Sequence, residues 1–249
     1  MLSEPTREKL IELRLRAMSG AWSAQQADPR SAELAFDERF GLLVDAEWMD
    51  RHNKRLSRAL REAQLRLRDA CIEDLQASTP RGLEKALVRQ LATCEWIHTH
   101  QNLVLTGACG VGKTYVACAL AHQACRKGYR ALYRRVPRLF EELLLARADG
   151  TYARLLARIA RFDLLLLDDW GLTPLDDLQR RDLLEIFEDR YGQRSTVVSS
   201  QLPSERWHDH IGEPTIADAI CDRLLHNAYR VQLRGPSRRR AQSEPESDR

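Results

Sequence analysis

Apolar positions along this chain fall into two regimes. Up to about residue 80 they are sparse and helical in spacing. Leu10, Leu13, Ala17 and Met18 form a short stripe, and Leu34, Phe36, Phe40, Leu42, Leu43 and Trp48 recur at mixed helical intervals. Asp28-Pro29 separates the two groups, and Ser78-Thr79-Pro80 closes the zone. From about 81 to 235, short apolar runs alternate with amphipathic stretches. The pattern predicts strands at 102–106, 131–133, 163–167 and 195–199, and helices at 113–126, 137–148, 152–160, 177–191 and 214–228. The unbroken leucines at 164–167 mark the most deeply buried strand. Strands alternating with helices imply a parallel sheet covered on both faces, an α/β fold. The last residues are a short Arg/Ser/Glu/Pro tail whose composition cannot build a core. The expected organisation is a helical N-terminal domain over 1–80, an α/β core over 81–235 and a tail over 236–249.

Composition changes this picture little. A hydrophobic fraction of 43% in 249 residues suffices for a packed core, and the formal net charge of +3 does not by itself announce a polyanionic partner. No run of 18 apolar residues occurs, so no membrane-crossing helix is expected. The first residues lack the apolar stretch of a secretory signal. Cys71, Cys94, Cys109, Cys118, Cys125 and Cys221 form no C-x-x-C pair, and no His stands at zinc-ligand spacing from them. Reduced thiols in a cytoplasmic protein are the expectation.

The chemistry is concentrated at Gly107-Ala108-Cys109-Gly110-Val111-Gly112-Lys113-Thr114, followed by Tyr115. This satisfies G-x-x-x-x-G-K-[ST], after a predicted strand and before a predicted helix. The glycines let the backbone aim its N–H groups at phosphates, Lys113 reaches the β- and γ-phosphates, and the Thr114 hydroxyl binds Mg²⁺. The N-terminus of the following helix adds a favourable dipole. ATP with Mg²⁺ is the expected cofactor pair. A second acid-bearing strand end completes such a site, and Asp168 and Asp169 close the leucine run. Asp168 is expected to hold Mg²⁺ through water, and Asp169 to polarise the attacking water. Ser199-Ser200-Gln201 ends another strand. An amide there either orients water beside the phosphate or belongs to an ordinary turn before Pro203. Arg223 has two readings as well: a group acting on a neighbouring subunit's nucleotide, or a surface ion pair with Asp218 or Asp222.

A basic stretch, 51–68, is a candidate amphipathic helix. Arg51, Lys54, Arg55, Arg58 and Arg61 share one broad face, opposite Leu56, Ala59, Leu60 and Ala63. Phosphate contacts of this kind give salt-dependent, sequence-independent affinity, while the plain alternative is a solvated face. Arg134, Arg135 and Arg138 form a second basic group, toward DNA or a neighbouring subunit.

Taken together, these segments resemble the IstB family, ATP-binding helper proteins of insertion-sequence transposons within the AAA+ ATPases, beside the DnaC-type helicase loaders. The resemblance is carried by 36–48, 80–83, 102–114, 163–172, 189–191, 195–207 and 214–228, nearly the whole chain. It implies an AAA+ core with a parallel five-stranded sheet behind a small helical N-terminal domain. It also implies a γ-phosphate sensor at Gln201, an arginine finger at Arg223, and a second sensor at Arg239 within Gly235-Pro-Ser-Arg-Arg239. The activity implied is ATP hydrolysis by an oligomer that binds duplex DNA without sequence preference and recruits a transposase. A DnaC-like helicase loader is the alternative; residues 36–48 favour the transposition reading. Two positions depart from the common pattern: Gln201 replaces a more usual Asn, and Asp169 replaces a more usual Glu. A shorter carboxylate stands farther from the water, so slow, switch-like hydrolysis is expected.

Overall fold

The structure, a computed structural model, describes residues 3–77 and 82–236. Ser78-Thr79-Pro80, Arg239 and almost all of the C-terminal tail lie outside the described residues. The chain divides into two compact units, one up to Arg58 and one from Ala59 onward.

The first unit contains α1 (Ser3–Glu12), α2 (Arg16–Ala27), a 3₁₀ turn (Pro29–Glu33) and most of α3 (Phe36–Ala63). The helix break at Asp28-Pro29 falls where expected, and the Asp28 carboxylate caps the turn by accepting from the Arg30 N–H. Glu47 organises this unit. Its buried carboxylate accepts from the Ala17 and Met18 N–H groups at 2.9 and 3.1 Å, at the start of α2, and from Arg51 Nε at 2.8 Å. The Arg51 hydrogen bond, with help from those N–H groups, holds the Glu47 carboxyl below its ordinary range.

The second unit begins in the last turn of α3 and continues through α4 (Ile72–Ala77), α5 (Lys85–Ala92) and α6 (Glu95–His98). Then come β1 (Asn102–Gly107), α7 (Lys113–Arg126), β2 (Ala131–Arg135), α8 (Val136–Ala148), α9 (Tyr152–Ala160), β3 (Leu164–Trp170) and α10 (Asp177–Arg190). The chain closes with β4 (Ser195–Ser200), a 3₁₀ turn (Ser204–Arg206), α11 (Trp207–Ile211), α12 (Pro214–Leu225) and β5 (Ala228–Leu233). The five strands are all parallel, in the order β2-β3-β4-β1-β5. The division into units thus falls at 58/59 rather than at 80. Leu65, Ala70, Ile72 and Leu75 are buried, and α4 packs on α7, so residues after 58 belong with the sheet.

Three elements end three or more residues from the sequence expectation. The basic helix stops at Ala63, because Gln64 takes left-handed backbone (φ 51°). The third strand runs on to Trp170, carrying both acids inside it. The helix expected to reach 228 ends at Leu225, because the Asn227 carbonyl accepts from the Asn102 N–H at 2.9 Å and draws the chain alongside β1. Asn102 fixes this end of the sheet. Its Oδ1 accepts from the Thr196 N–H at 2.8 Å, and its Nδ2 donates to the Arg223 and Leu224 carbonyls at the end of α12.

The core on the α8–α12 face joins Leu165 and Leu167 of β3 to Trp170, whose ring lies 6.0 Å from that of Phe187 and 5.3 Å from that of Trp207. Arg190 is buried beside it. Its guanidinium donates to the Ile159 and Phe162 carbonyls at 3.0 and 2.8 Å, to the Ser195 carbonyl, and to Thr196 Oγ1 at 3.2 Å. Replacing Arg190 by methionine keeps the volume and strands these acceptors, each worth about 1–3 kcal/mol. A loss of about 3 kcal/mol or more in urea unfolding is expected; a loss below about 1 kcal/mol would show that this bridge is dispensable.

Candidate functional site

The phosphate loop grows out of the C-terminal end of β1. Gly107 pairs in register with Leu233 of β5, and a Cβ at Gly107 would lie 2.4 Å from the Leu233 carbonyl oxygen. Only glycine fits there, at a φ of 146°. Gly112, at φ 104°, turns the chain into α7, so Lys113 and Thr114 open that helix. Val111 turns its side chain inward and is buried, while Cys109 is exposed. Lys113 Nζ donates to the Gly107 and Ala108 carbonyls at 2.8 and 2.9 Å, which centres its ammonium in the loop. Beside the loop is a cavity of about 740 Å³ lined by Gly110, Lys113, Thr114, Asp168, Asp169 and Gln201, among others. Tyr115 lines the same cavity and donates to Asp74 Oδ2 at 2.6 Å. Its phenol is pushed up to about 12, by burial first and by Asp74 second.

Asp168 is the best-supported side chain of the site. It is 2% exposed. Oδ2 accepts from Thr114 Oγ1 at 2.9 Å and from Tyr133 Oη at 2.7 Å, and Oδ1 accepts from Ser199 Oγ. Burial and the adjacent carboxylate drive the Tyr133 phenol pKa upward, so it stays a donor. The contact between Thr114 and Asp168 is the structural test of fit for Mg²⁺. A hard oxygen pair, one hydroxyl and one carboxylate, meets at the head of α7, the donor set such an ion takes alongside nucleotide phosphates and water. Among the described residues no three His, Cys, Asp or Glu side chains converge as a self-sufficient metal cluster.

Asp169 behaves differently. It adopts left-handed backbone (φ 62°) at an irregularity in the β3–β4 register between Leu167 and Trp170. A non-glycine residue there is strained, a condition that clusters at functional sites. Its Oδ2 accepts from Arg135 Nε at 2.6 Å. That hydrogen bond and the opposite charge raise the Arg135 pKa above its ordinary value.

Gln201 is exposed at the end of β4 and lines the cavity, whereas Ser199, one turn of the pleat earlier, makes the direct contact with Asp168. Ser200 is spent on local structure, donating to the Trp170 carbonyl at 2.8 Å. Arg223 lies at the other end of the sheet. It lines a separate cavity of about 390 Å³ with Asn102, Thr196 and Asn227, which sit at or just before the starts of β1, β4 and β5. The phosphate loop begins at Gly107, the opposite end of β1, five residues from Asn102, or about 17 Å of strand. The ion-pair partner of Arg223 is Glu188 of α10, not Asp218 or Asp222. Arg223 Nη1 donates to the Ala219 carbonyl at 2.9 Å, and its buried Nε has no partner among the described residues.

The basic groups separate. On α3, Arg51 holds Glu47 and Lys54 pairs with Asp50 at 2.7 Å, both while largely exposed; Arg55, Arg58 and Arg61 are exposed along the same helix. Arg138 is exposed and pairs with Glu141 at 2.6 Å. Arg134 is a correction to the sequence expectation. It is 8% exposed and spends its guanidinium on Glu142 at 2.9 Å, on Gln64 at 2.8 Å and on the Tyr133 carbonyl at 2.8 Å. It staples the chain after α3 to β2 and offers DNA nothing. The side chains missed by sequence reasoning are Tyr133, Ser199, Arg135 in its contact with Asp169, and Arg66. Strand alternation was the available signal, since Tyr133 and Arg135 share a face of β2.

Comparison with known proteins decides the family. The sequence matches the family described as IstB-like ATP binding protein over residues 8–245. The chain belongs to that family. An insertion-sequence ATP-binding protein of Sinorhizobium fredii is 50% identical to this IstB-like chain over 242 residues, covering 97% of this chain and 98% of that protein. Among solved structures, DnaI superposes with a TM-score of 0.58 at 23% identity, covering 66% of this chain and 91% of that one. The DnaC helicase loader superposes at 0.56 and 19%, covering 67% and 97%. At these identities the likeness shows the fold, which is the AAA+ P-loop fold: a five-stranded parallel sheet with helices, preceded by an N-terminal helical region. Among the described residues no helix of this IstB-like protein is long and apolar enough to cross a membrane.

Proposed function

We propose that this IstB-like protein is an ATP-hydrolysing regulator of insertion-sequence transposition in the cytoplasm, which assembles with ATP and Mg²⁺ on duplex DNA and recruits the cognate transposase. The observation that carries the reading is the split location of Arg223 and the phosphate loop. An arginine about 17 Å of strand from its own loop has no reach to a nucleotide there, which supports action on a neighbour's. The family and the insertion-sequence relative support transposition over helicase loading, since the likeness to DnaC and DnaI extends to the fold alone.

In this reading Lys113 binds the β- and γ-phosphates, and the loop N–H groups from Gly107 to Thr114 cradle them. Thr114 and Asp168 would hold Mg²⁺, which would supply charge neutralisation at the reacting phosphates. Asp169 orients water, Gln201 senses the γ-phosphate, and Arg239 contributes from the C-terminal stretch. Arg55, Arg58 and Arg61 present exposed cations to DNA phosphates, as do Arg51, Lys54 and Arg138, whose carboxylate partners are Glu47, Asp50 and Glu141. The tie between Asp169 and Arg135 supports slow hydrolysis, used as a switch.

Light scattering of the full chain with and without ATP, Mg²⁺ and duplex tests the proposal. An oligomer that needs ATP and retains duplex is expected, with duplex affinity falling steeply as salt rises. A protein that stays monomeric under all conditions sinks it. Arg223→Ala is expected to keep nucleotide binding while hydrolysis by the assembly falls about 10³-fold, the usual scale for an arginine finger. An unchanged rate per subunit would remove Arg223 from the role.

A further inference from the structure

The stretch after α3 carries a cation into the nucleotide cavity that no sequence motif marks. Gln64 ends the helix in left-handed backbone, and Arg134 Nη1 holds its Oε1 at 2.8 Å. Leu65 and Ala70 are buried on either side, and the Cys118 thiol of α7 meets the Leu67 backbone. Arg66 therefore leaves a backbone that is fixed at both ends. Its side chain lines the same cavity as Lys113, Thr114 and Asp168. Its guanidinium faces the Tyr133 phenol and stands 3.9 Å from Asp168 Oδ2, within ion-pair range but too far for a hydrogen bond.

Asp168 has little need of this cation. Its Oδ2 already accepts from Thr114 and Tyr133, and its Oδ1 accepts from Ser199. The structural arginines of this unit look different. Arg134 and Arg190 are buried and spend their guanidinium groups on hydrogen bonds within the fold. The Arg66 side chain is 41% exposed and opens into the cavity. A planar guanidinium fork matches two oxygens of one phosphate, which a lysine ammonium does not.

We propose that Arg66 is a positioning residue for the terminal phosphate of a nucleoside triphosphate, opposite Lys113, and that it lets the site tell a triphosphate from a diphosphate. This rests on the nucleotide-site reading above. Thr114 and Asp168 would hold the Mg²⁺ that accompanies the outer phosphates of a nucleotide, and Arg66 stands one ion-pair distance from that carboxylate. A terminal phosphate beside that ion would be the part of the nucleotide within its reach.

Calorimetric titration of the full chain with a non-hydrolysable ATP analogue and with ADP, each with Mg²⁺, tests this without reading activity. Arg66→Ala is expected to weaken the triphosphate analogue about 10-fold or more, one charge-assisted contact, and to leave ADP within about 2-fold. Arg66→Lys is expected to fall between, and it decides the matter if the alanine variant does not fold. Equal weakening of both nucleotides in the folded variants overturns the proposal, as does an unchanged affinity for the triphosphate. Wild-type protein that binds neither nucleotide overturns the nucleotide-site reading and this inference with it.

Discussion

Lys113→Ala is expected to lose nucleotide binding and ATP-dependent assembly together while remaining folded. The ammonium sits inside the loop with the Gly107 and Ala108 carbonyls as partners, at 9% exposure. In that position it would meet phosphate oxygens with little water to compete, where charge-assisted bonds contribute about 1.5–3 kcal/mol each. Two such contacts put the expected loss of ATP affinity at about 10²-fold or more. The fold has little at stake, because the loop's shape rests on Gly107, Gly112 and the buried Val111 rather than on the lysine. Fluorescence titration with a labelled ATP, paired with thermal unfolding, measures both halves of the statement. An affinity within about threefold of wild type would remove Lys113 from the site. Assembly that survives in a variant shown not to bind ATP would break the proposed coupling of nucleotide to oligomer.

The parts of this site that were legible in the sequence are those held by local rules. The loop needs glycine where β5 crowds Gly107 and where φ is positive at Gly112, so its spacing is visible. Four consecutive leucines cannot be anything but buried, so the acids that follow them mark the head of β3. The rest depends on pairings across the sheet. Tyr133 and Ser199 reach Asp168 from the strands on either side of β3, at separations that no local pattern encodes. Arg134 and Arg135 read as one basic group because they are adjacent, but the two-residue period of β2 sends them to opposite faces. One becomes a buried staple and the other a partner of Asp169. The fifth strand was implied by resemblance without being located. Its alternation through Val231 and Leu233 is short, and Ala228 continues the preceding helical pattern until Asn227 is tied to β1. Arg61 and the residues after it likewise read as a continuing basic helix, and only the burial of Leu65 and Ala70 shows the chain turning back onto the unit that holds the sheet.

Asp169→Asn is expected to separate binding from hydrolysis. Lys113, Thr114 and Asp168 are untouched by it, so ATP affinity should stay within about threefold of wild type, and ATP-dependent assembly should persist. Hydrolysis should fall by about 10²–10⁴, the range a positioned general base supplies. The same variant weakens the hold on Arg135, since a charge-assisted contact at 2.6 Å becomes a bond to a neutral amide. Arg135→Ala is therefore the informative companion. If the ion pair restrains Asp169, freeing the carboxylate raises hydrolysis above wild type, and the double variant returns to the low rate of Asp169→Asn. If Arg135 instead aims the carboxylate, Arg135→Ala lowers the rate and nothing in the double variant restores it. Phosphate release at saturating ATP, with and without duplex, reads all four proteins on one scale. Hydrolysis by Asp169→Asn above about a tenth of the wild-type rate would take the base role away from this residue and leave its strained backbone without a catalytic reason.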